Sequence, residues 1–338
     1  MTGIDHPETF HGLPVHAFPC PGDASRGVSG HALTDSGSLP DGGALPEAGS
    51  VAWRLESAWR GDLTFGSLWQ HFVDTVDTTR VRALVIGAWW QEEYASFTPV
   101  VELLVSHADR FPDLRALFLA DVVGEECELS WLEMCDITPV VEAFGQLEEV
   151  TVRGCGQQFG DRSSLDLRPV RHKALKALRF ESGGLPARVV RAVAASELPA
   201  LERLELWLGV EEYGGDASVA DLAPILSGAG FPALRHLGLQ NSEIQDEIAA
   251  AVASAPVVAQ LESLSLAMGT LGDEGAEALL QGQPLTHLAS LDLHHHYMSE
   301  PLAERLTELL GPDRVNTDID DADWDDDEDG HRYVAIDE

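Results

Sequence analysis

Leu261-Glu262-Ser263-Leu264-Ser265-Leu266 returns 27 residues later as Leu288-Ala289-Ser290-Leu291-Asp292-Leu293. The pattern L-x-x-L-x-L repeats upstream, with aliphatic or Phe substitutes. It is seen at Val81–Ile86, Leu114–Leu119, Leu147–Val152, Leu175–Phe180, Leu201–Leu206 and Leu234–Leu239. The first residues of the eight copies are separated by 33, 33, 28, 26, 33, 27 and 27 positions. Partial copies flank them: Trp53-Arg54-Leu55 before, Val315-Asn316-Thr317 after. Atypical end units are expected where a repeat array must be capped. A fixed recurrence of this length marks a repeat architecture.

The spacing carries its own structural reading. The last residues of each copy form a short strand, whose alternation sends the fourth and sixth positions to one face and the third, fifth and seventh to the other. Between strands a helix is expected. Leu271–Leu280 is the clearest, with Asp273 as its cap and Ala276, Leu279 and Leu280 as its inward face, and Ile248–Val252 follows the same logic. A lone strand-helix unit cannot bury both faces. Units stacked in parallel, with strands about 4.8 Å apart, can.

The 27-residue units, above all Leu264–Leu279, resemble the ribonuclease-inhibitor-like class of leucine-rich repeats over residues 51–317. That resemblance implies an α/β leucine-rich-repeat solenoid, a horseshoe with a parallel concave sheet and outer helices. The class usually places Asn at the ninth position. Here that position holds Ser242, Gly269 and His296 in the last three full copies, so the polar ladder is incomplete. The whole chain also resembles a family of uncharacterised bacterial leucine-rich-repeat proteins common in actinobacteria. The resemblance is carried by Phe10-His-Gly-Leu-Pro-Val15, Leu293-His-His-His-Tyr-Met-Ser299 and Arg332-Tyr-Val-Ala-Ile336.

Composition narrows the function. Among 338 residues, 57 are acidic and 21 basic, only Lys173 and Lys176 being lysines, and the net charge is −36. Such a field repels phosphate backbones and anionic lipid, and it attracts a basic protein. Nucleic-acid and membrane partners are not expected. No run approaches the roughly 18 apolar residues of a membrane span. The start, Met1–Cys20, lacks the basic and apolar regions of a secretion signal. Cys20, Cys127, Cys135 and Cys155 show no paired spacing and are expected as free thiols in the cytoplasm.

Three segments result: residues 1–50 as an N-terminal cap piece and flexible linker, residues 51–317 as the repeat domain, and residues 318–338 as an acidic loop with a strand-like tail. The linker is the Gly-, Pro- and Ser-rich stretch 20–50, whereas Phe10, Leu13, Val15 and Phe18 suit a cover for the first repeat. Nine of the twelve residues 318–329 are acidic. Arg332–Ile336 alternates like a strand that returns to the last repeat.

Several constellations invite chemistry. Asp325-x-Asp327-x-Asp329-Gly330 matches half an EF-hand loop, but Ile336 stands where the bidentate Glu belongs, so a solvated acidic loop is expected. Gly154-x-Gly156-x-x-x-Gly160 follows a strand, yet residues 161–169 lack the helix a phosphate loop needs. His294-His295-His296 would point to alternate faces and not converge on one ion. His296 is expected to replace the ladder Asn by donating to loop carbonyls. No metal or cofactor is expected. No G-x-S-x-G, Walker A, H-E-x-x-H or C-x-x-C motif occurs.

Leucine-rich solenoids generally bind through the concave sheet face. Positions three, five and seven place Val85, Phe118, Thr151, Arg153, Arg179, Glu181, Arg203, Glu205, Trp207, Gln240, Asp292 and His294 there. The partner-binding set is Phe118, Arg153, Arg179, Arg203, Glu205, Trp207, Gln240 and His294, because Arg and Trp are enriched in binding hot spots. Equally open is that the arginines balance Glu149, Glu181 and Glu205 across strands. The aromatic run Trp89, Trp90, Tyr94 and Phe97 is expected to pack locally and not to project. The expected function is a non-catalytic protein–protein interaction module. The alternatives are an enzyme or metal-dependent module built on the His-rich last repeat or the acidic tail, and a structural repeat that self-associates edge to edge.

Overall fold

The computed structural model describes residues 4–19, 45–58, 63–91, 95–156, 164–319 and 331–337. Twelve strands form one sheet whose order follows the chain. They are β1 (Thr9–Phe10), β2 (Leu13–Ala17), β3 (Ala52–Leu55), β4 (Ala83–Ile86), β5 (Ala116–Leu119), β6 (Glu149–Arg153), β7 (Ala177–Glu181), β8 (Arg203–Gly209), β9 (His236–Ser242), β10 (Ser263–Ser265), β11 (Ser290–Asp292) and β12 (Val315–Asn316). Only β1 and β2 are antiparallel; every later neighbour is parallel. Eight helices lie between strands: α1 (Phe65–Thr75), α2 (Thr98–Ser106), α3 (Thr138–Ala143), α4 (Ala187–Ala194), α5 (Val219–Leu226), α6 (Gln245–Val252), α7 (Asp273–Gln281) and α8 (Glu300–Leu310). This is an α/β repeat solenoid with an open, mostly parallel sheet.

The register explains why the pattern is so legible. Trp53, Leu84, Leu117, Val150, Leu178, Leu204, Leu237, Leu264, Leu291 and Val315 stand side by side across the parallel sheet, all at the fourth position of their copies. They join Leu55, Ile86, Leu119, Val152, Phe180, Leu206, Leu239 and Leu266 in the continuous core shared with the helices. Trp89, Trp90 and Phe97 belong to that core too, edge to face at 4.8 and 4.7 Å. Tyr94 lies outside the described residues.

Helix starts are tied from one repeat to the next. Asp273 is the first residue of α7 and not its cap, a correction to the expectation; Gly272 holds the cap position. The amides of Gly272 and Gly275 donate instead to Asp246 Oδ1 (2.7 and 3.1 Å), a side chain on the preceding helix α6. Asp273 Oδ1 accepts the amide of Ser299, the cap residue of α8, at 2.6 Å. Carboxylates at helix N-termini are favourable because the exposed amides carry partial positive charge. Leu280 is only half-buried, whereas Ala276 and Leu279 are buried as expected.

Between β6 and β7 the described residues hold no helix. Gly154 and Gly156 serve packing there: a Cβ at Gly154 would stand 2.5 Å from Met134 Cγ, and one at Gly156 2.2 Å from Pro186 Cγ. The third glycine of the phosphate-loop-like motif, Gly160, lies outside the described residues, as does the EF-hand-like run 325–330.

Both chain ends fold back on the solenoid. His11 and Gly12, at φ 52° and 69°, form the left-handed pair that a two-residue hairpin turn requires. The turn carries β2 alongside β3 and lays β1 over the sheet. The C-terminal residues 331–337 form no strand and do not stop at the last repeat, which corrects the expectation for them. They run back across the turns that follow β11 and β10 and across the end of β9. His295 Nε2 lies 3.0 Å from the Tyr333 carbonyl oxygen, the Ala335 amide donates to Met268 (2.8 Å), and the Ile336 amide donates to Asn241 Oδ1 (3.0 Å). At each of the three crossings stands a non-glycine residue in left-handed conformation: Asn241, Met268 and His295.

Candidate functional site

The sheet face away from the helices changes character along the chain. Ala52, Ala83, Val85, Ala116 and Phe118 make its first part apolar; with Phe10 they form a second, smaller core. Arginine and glutamate dominate β6–β8. Beyond them come Gly238, Gln240, Ser263, Ser265, Ser290 and Asp292. The N-terminal segment lies over the apolar part, with the rings of Phe10 and Phe118 5.8 Å apart.

That cover is pinned by charge. Asp121, wholly buried, follows a left-handed residue, Ala120 (φ 63°), just after β5. It accepts from Arg54 Nε (2.9 Å) and pairs with Arg153 Nη1 (3.3 Å) and His6 Nδ1 (3.1 Å). Burial alone would raise its carboxyl. Its hydrogen bond to His6 and the guanidiniums of Arg54 and Arg153 outweigh burial and hold it below the usual carboxylate range. Burial likewise disfavours the His6 cation, but hydrogen bonds to Asp121 and Glu126 raise its pKa to about 9. His6 is therefore charged at neutral pH. A second tie joins His11 Nδ1 to Glu149 at 2.9 Å. Nothing periodic marked Asp121, and His6 lay in a segment read only for its apolar residues.

Between the N-terminal segment and β5–β8 lies a cleft of about 490 Å³. It gathers six of the eight residues expected to bind a partner: Phe118, Arg153, Arg179, Arg203, Glu205 and Trp207. Gln240 stands next to Trp207 and His294 lies three strands further on. Their availability differs. Phe118 is capped by Phe10, and Arg153 is only 2% exposed, held by Asp121, by Glu181 (2.8 Å) and by the Val122 carbonyl (2.7 Å), with its guanidinium 5.1 Å from the Phe118 ring centre. Arg179 and Arg203 remain open, their side chains 39% and 52% exposed.

The arginines do pair with the neighbouring glutamates. Arg179 Nε lies 2.9 Å from Glu181 and 3.1 Å from Glu205, off the line of its N–H bond, and Arg203 Nη1 donates to Glu205 at 2.8 Å. Burial would raise the Glu205 carboxyl; His236, Arg179 and Arg203 together bring it down to about 2. From Trp207 a polar chain runs along the open face. Trp207 Nε1 donates to Gln240 Oε1 (3.0 Å), Gln240 Nε2 to Ser265 (2.6 Å) and Ser265 to Asp292 (3.4 Å), and Asp292 pairs with His294 (2.9 Å).

Two clusters on this face bring catalytic residue types together. Ser263 Oγ is 2.5 Å from His236 Nδ1, and His236 Nε2 is 2.9 Å from Glu205, a Ser–His–Glu succession by distance. The carboxylate lies off the line of the ring N–H, and its charge is already taken by two guanidiniums, so it is poorly placed to orient a general base. The three adjacent histidines diverge: His294 turns to Asp292 and His295 to Tyr333. His296 places Nε2 3.3 Å from the Thr317 carbonyl while Nδ1 accepts the Met298 amide at 3.1 Å, the ladder role expected for it. Among the described residues, no three His, Cys, Asp or Glu side chains are placed to hold a metal ion. No helix among them is long and apolar enough to cross a membrane.

No protein-family model matches the chain. No curated protein matches it either. A crystal structure of a Bacteroides fragilis protein, determined as a structural-genomics target, is similar to it at 28% identity, over 80% of this chain and 72% of that one, with a TM-score of 0.67.

Proposed function

We propose that this chain is a leucine-rich-repeat protein of the ribonuclease-inhibitor-like class, related to the actinobacterial proteins it resembles. In this reading it acts in the cytoplasm as a non-catalytic interaction module, holding an extended segment of a partner protein on the concave face of its sheet. One observation carries this reading: the face already holds such a segment from its own chain. Residues 4–11 lie across it on Asp121, Phe118 and Glu149. The face beyond β6 has no such cover among the described residues and offers Arg179, Arg203 and the polar chain from Trp207 to His294. Exposed arginine beside a large aromatic is the composition of binding hot spots.

The reading is tested by affinity capture from native lysate with three baits: wild type, Arg179→Glu with Trp207→Ala, and Ser290→Trp. The last adds bulk at an exposed position of the same face without touching the buried ion pairs. A protein retained by wild type and lost with both variants supports the concave face as the working surface. Equal capture by all three removes the assignment.

A further inference from the structure

The residues lining the cleft include four carboxylates and three guanidiniums, but they are not presented equally. Glu181 and Glu205 are buried beneath the surface, whereas Arg179 and Arg203 stand above them. A ligand entering the cleft meets donors.

The Arg179 guanidinium is held on two sides. One face lies over the Trp207 ring, 5.1 Å from its centre, and Nε sits against Glu181 and Glu205. Its two Nη groups make no hydrogen bond among the described residues, and the residue lines the cleft. Arg203 uses Nη1 on Glu205 and has Nη2 to spare. Glu205 lies opposite Arg179 in the β7–β8 register and Arg203 is diagonal to it, a separation within reach of long side chains. A guanidinium already fixed in orientation loses little freedom when it binds, and its planar fork matches a carboxylate.

The rest of the cleft narrows the ligand. Ile4 and Pro7 add apolar surface to the lining of the cleft. Asp5, on the N-terminal segment, and Glu149, on β6 and paired with His11, also line the cleft. The net charge of −36 acts at longer range and keeps polyanions away. A single carboxylate on an otherwise neutral or basic segment escapes that penalty. The whole-molecule field and the cleft therefore select different features of one partner.

We propose that the cleft binds an extended peptide segment through one acidic side chain, its carboxylate shared by Arg179 and Arg203 and an apolar neighbour lying near Pro7. The proposal rests on the reading of this face as the partner-binding surface.

The test uses fluorescence anisotropy of the full chain with a labelled pentapeptide, Ala-Phe-Glu-Phe-Ala, and its counterparts with Gln or Lys in place of Glu. The Glu peptide should bind about tenfold more tightly than either counterpart, the scale of one charge-assisted hydrogen-bond pair. Arg203→Gln, at an exposed position, should remove that preference while the circular dichroism spectrum stays unchanged. Arg179→Lys should weaken the Glu peptide even though it keeps the charge. No binding by any peptide, equal binding by all three, or indifference to Arg203→Gln would overturn the carboxylate assignment. If the Lys peptide binds best and Ser290→Trp abolishes its binding, the carboxylate proposal falls and the concave-face reading stands. If the native partner is captured equally by wild type, by Arg179→Glu with Trp207→Ala and by Ser290→Trp, the face itself is wrong.

Discussion

Replacing His6 with Gln should loosen the N-terminal segment at pH 6 and change little at pH 10. His6 faces Asp121 and Glu126, with Arg54 opposing its charge and Glu56 beyond, and its pKa stands at about 9 against an ordinary 6.5. Below pH 6.5 the imidazole is protonated whether the segment is docked or free, and the ion pair contributes in full. Between 6.5 and 9 the free form sheds its proton while the docked form keeps it, so the contribution declines as pH rises. Above 9 it is gone. The displacement from 6.5 to about 9 would correspond to about 3 kcal/mol for a group shut off from water. A third of the His6 side chain is exposed, so solvent screening reduces this to about 1 kcal/mol. The ring proton signals of His6, followed by NMR against pH, report the titration directly. Urea unfolding of wild type and His6→Gln at both pH values reports the energy. A midpoint near 6.5, or a stability gap equal at pH 6 and pH 10, refutes the reasoning.

Asp121→Ala should cost about 3 kcal/mol, the low end for breaking a buried pair, because Arg153 keeps Glu181 and Val122 while Arg54 keeps Glu56; chemical denaturation measures it, and a loss under about 1 kcal/mol counts against the network. Asn241→Ala removes both side-chain bonds to Ile336 and should release residues 331–337, seen as lost hydrogen-exchange protection at Ala335 and Ile336 with the strands unchanged. Burial pushes the Cys135 thiol up to about 11 and that of Cys155 upward as well, so at pH 8 both should resist iodoacetamide in the folded protein and react once it is unfolded.

The strands were legible because the core imposes their period. Each fourth and sixth position had to be apolar, and that constraint reached even Trp53 and Val315 at the ends. Asp273 was misassigned because its neighbourhood could not reveal that Asp246, on the preceding helix, caps α7. The N-terminal cover left a trace that was missed. Ala52, Ala83, Val85, Ala116 and Phe118 occupy positions that would face water on an uncovered sheet, and five apolar residues there signal something lying on top. Arg332–Ile336 alternates, but its partners are left-handed turns and an Asn side chain, not a strand edge. The cleft was half legible: its arginines and Trp207 followed from the repeat register, whereas the cover on Phe118 comes from Phe10, more than a hundred positions away, and Arg153 is held by an Asp121 that no period marks.

The two returning ends also alter how such an array should come apart. A stack whose units touch only their neighbours melts inward from its termini. Here the first end is fastened as far as β6, through His6 to Asp121 and His11 to Glu149. The last end is fastened back to the turn after β7, where Asn241 bonds both Ile336 and Ser182. Fraying is thereby suppressed at both extremities. What lies between the two fastened blocks is the β6–β7 junction, where the described residues include no helix; the ladder, the Arg153–Glu181 and Lys176–Glu148 pairs and the contact of His172 with the Phe144 carbonyl are among its joins. The cleft straddles that junction.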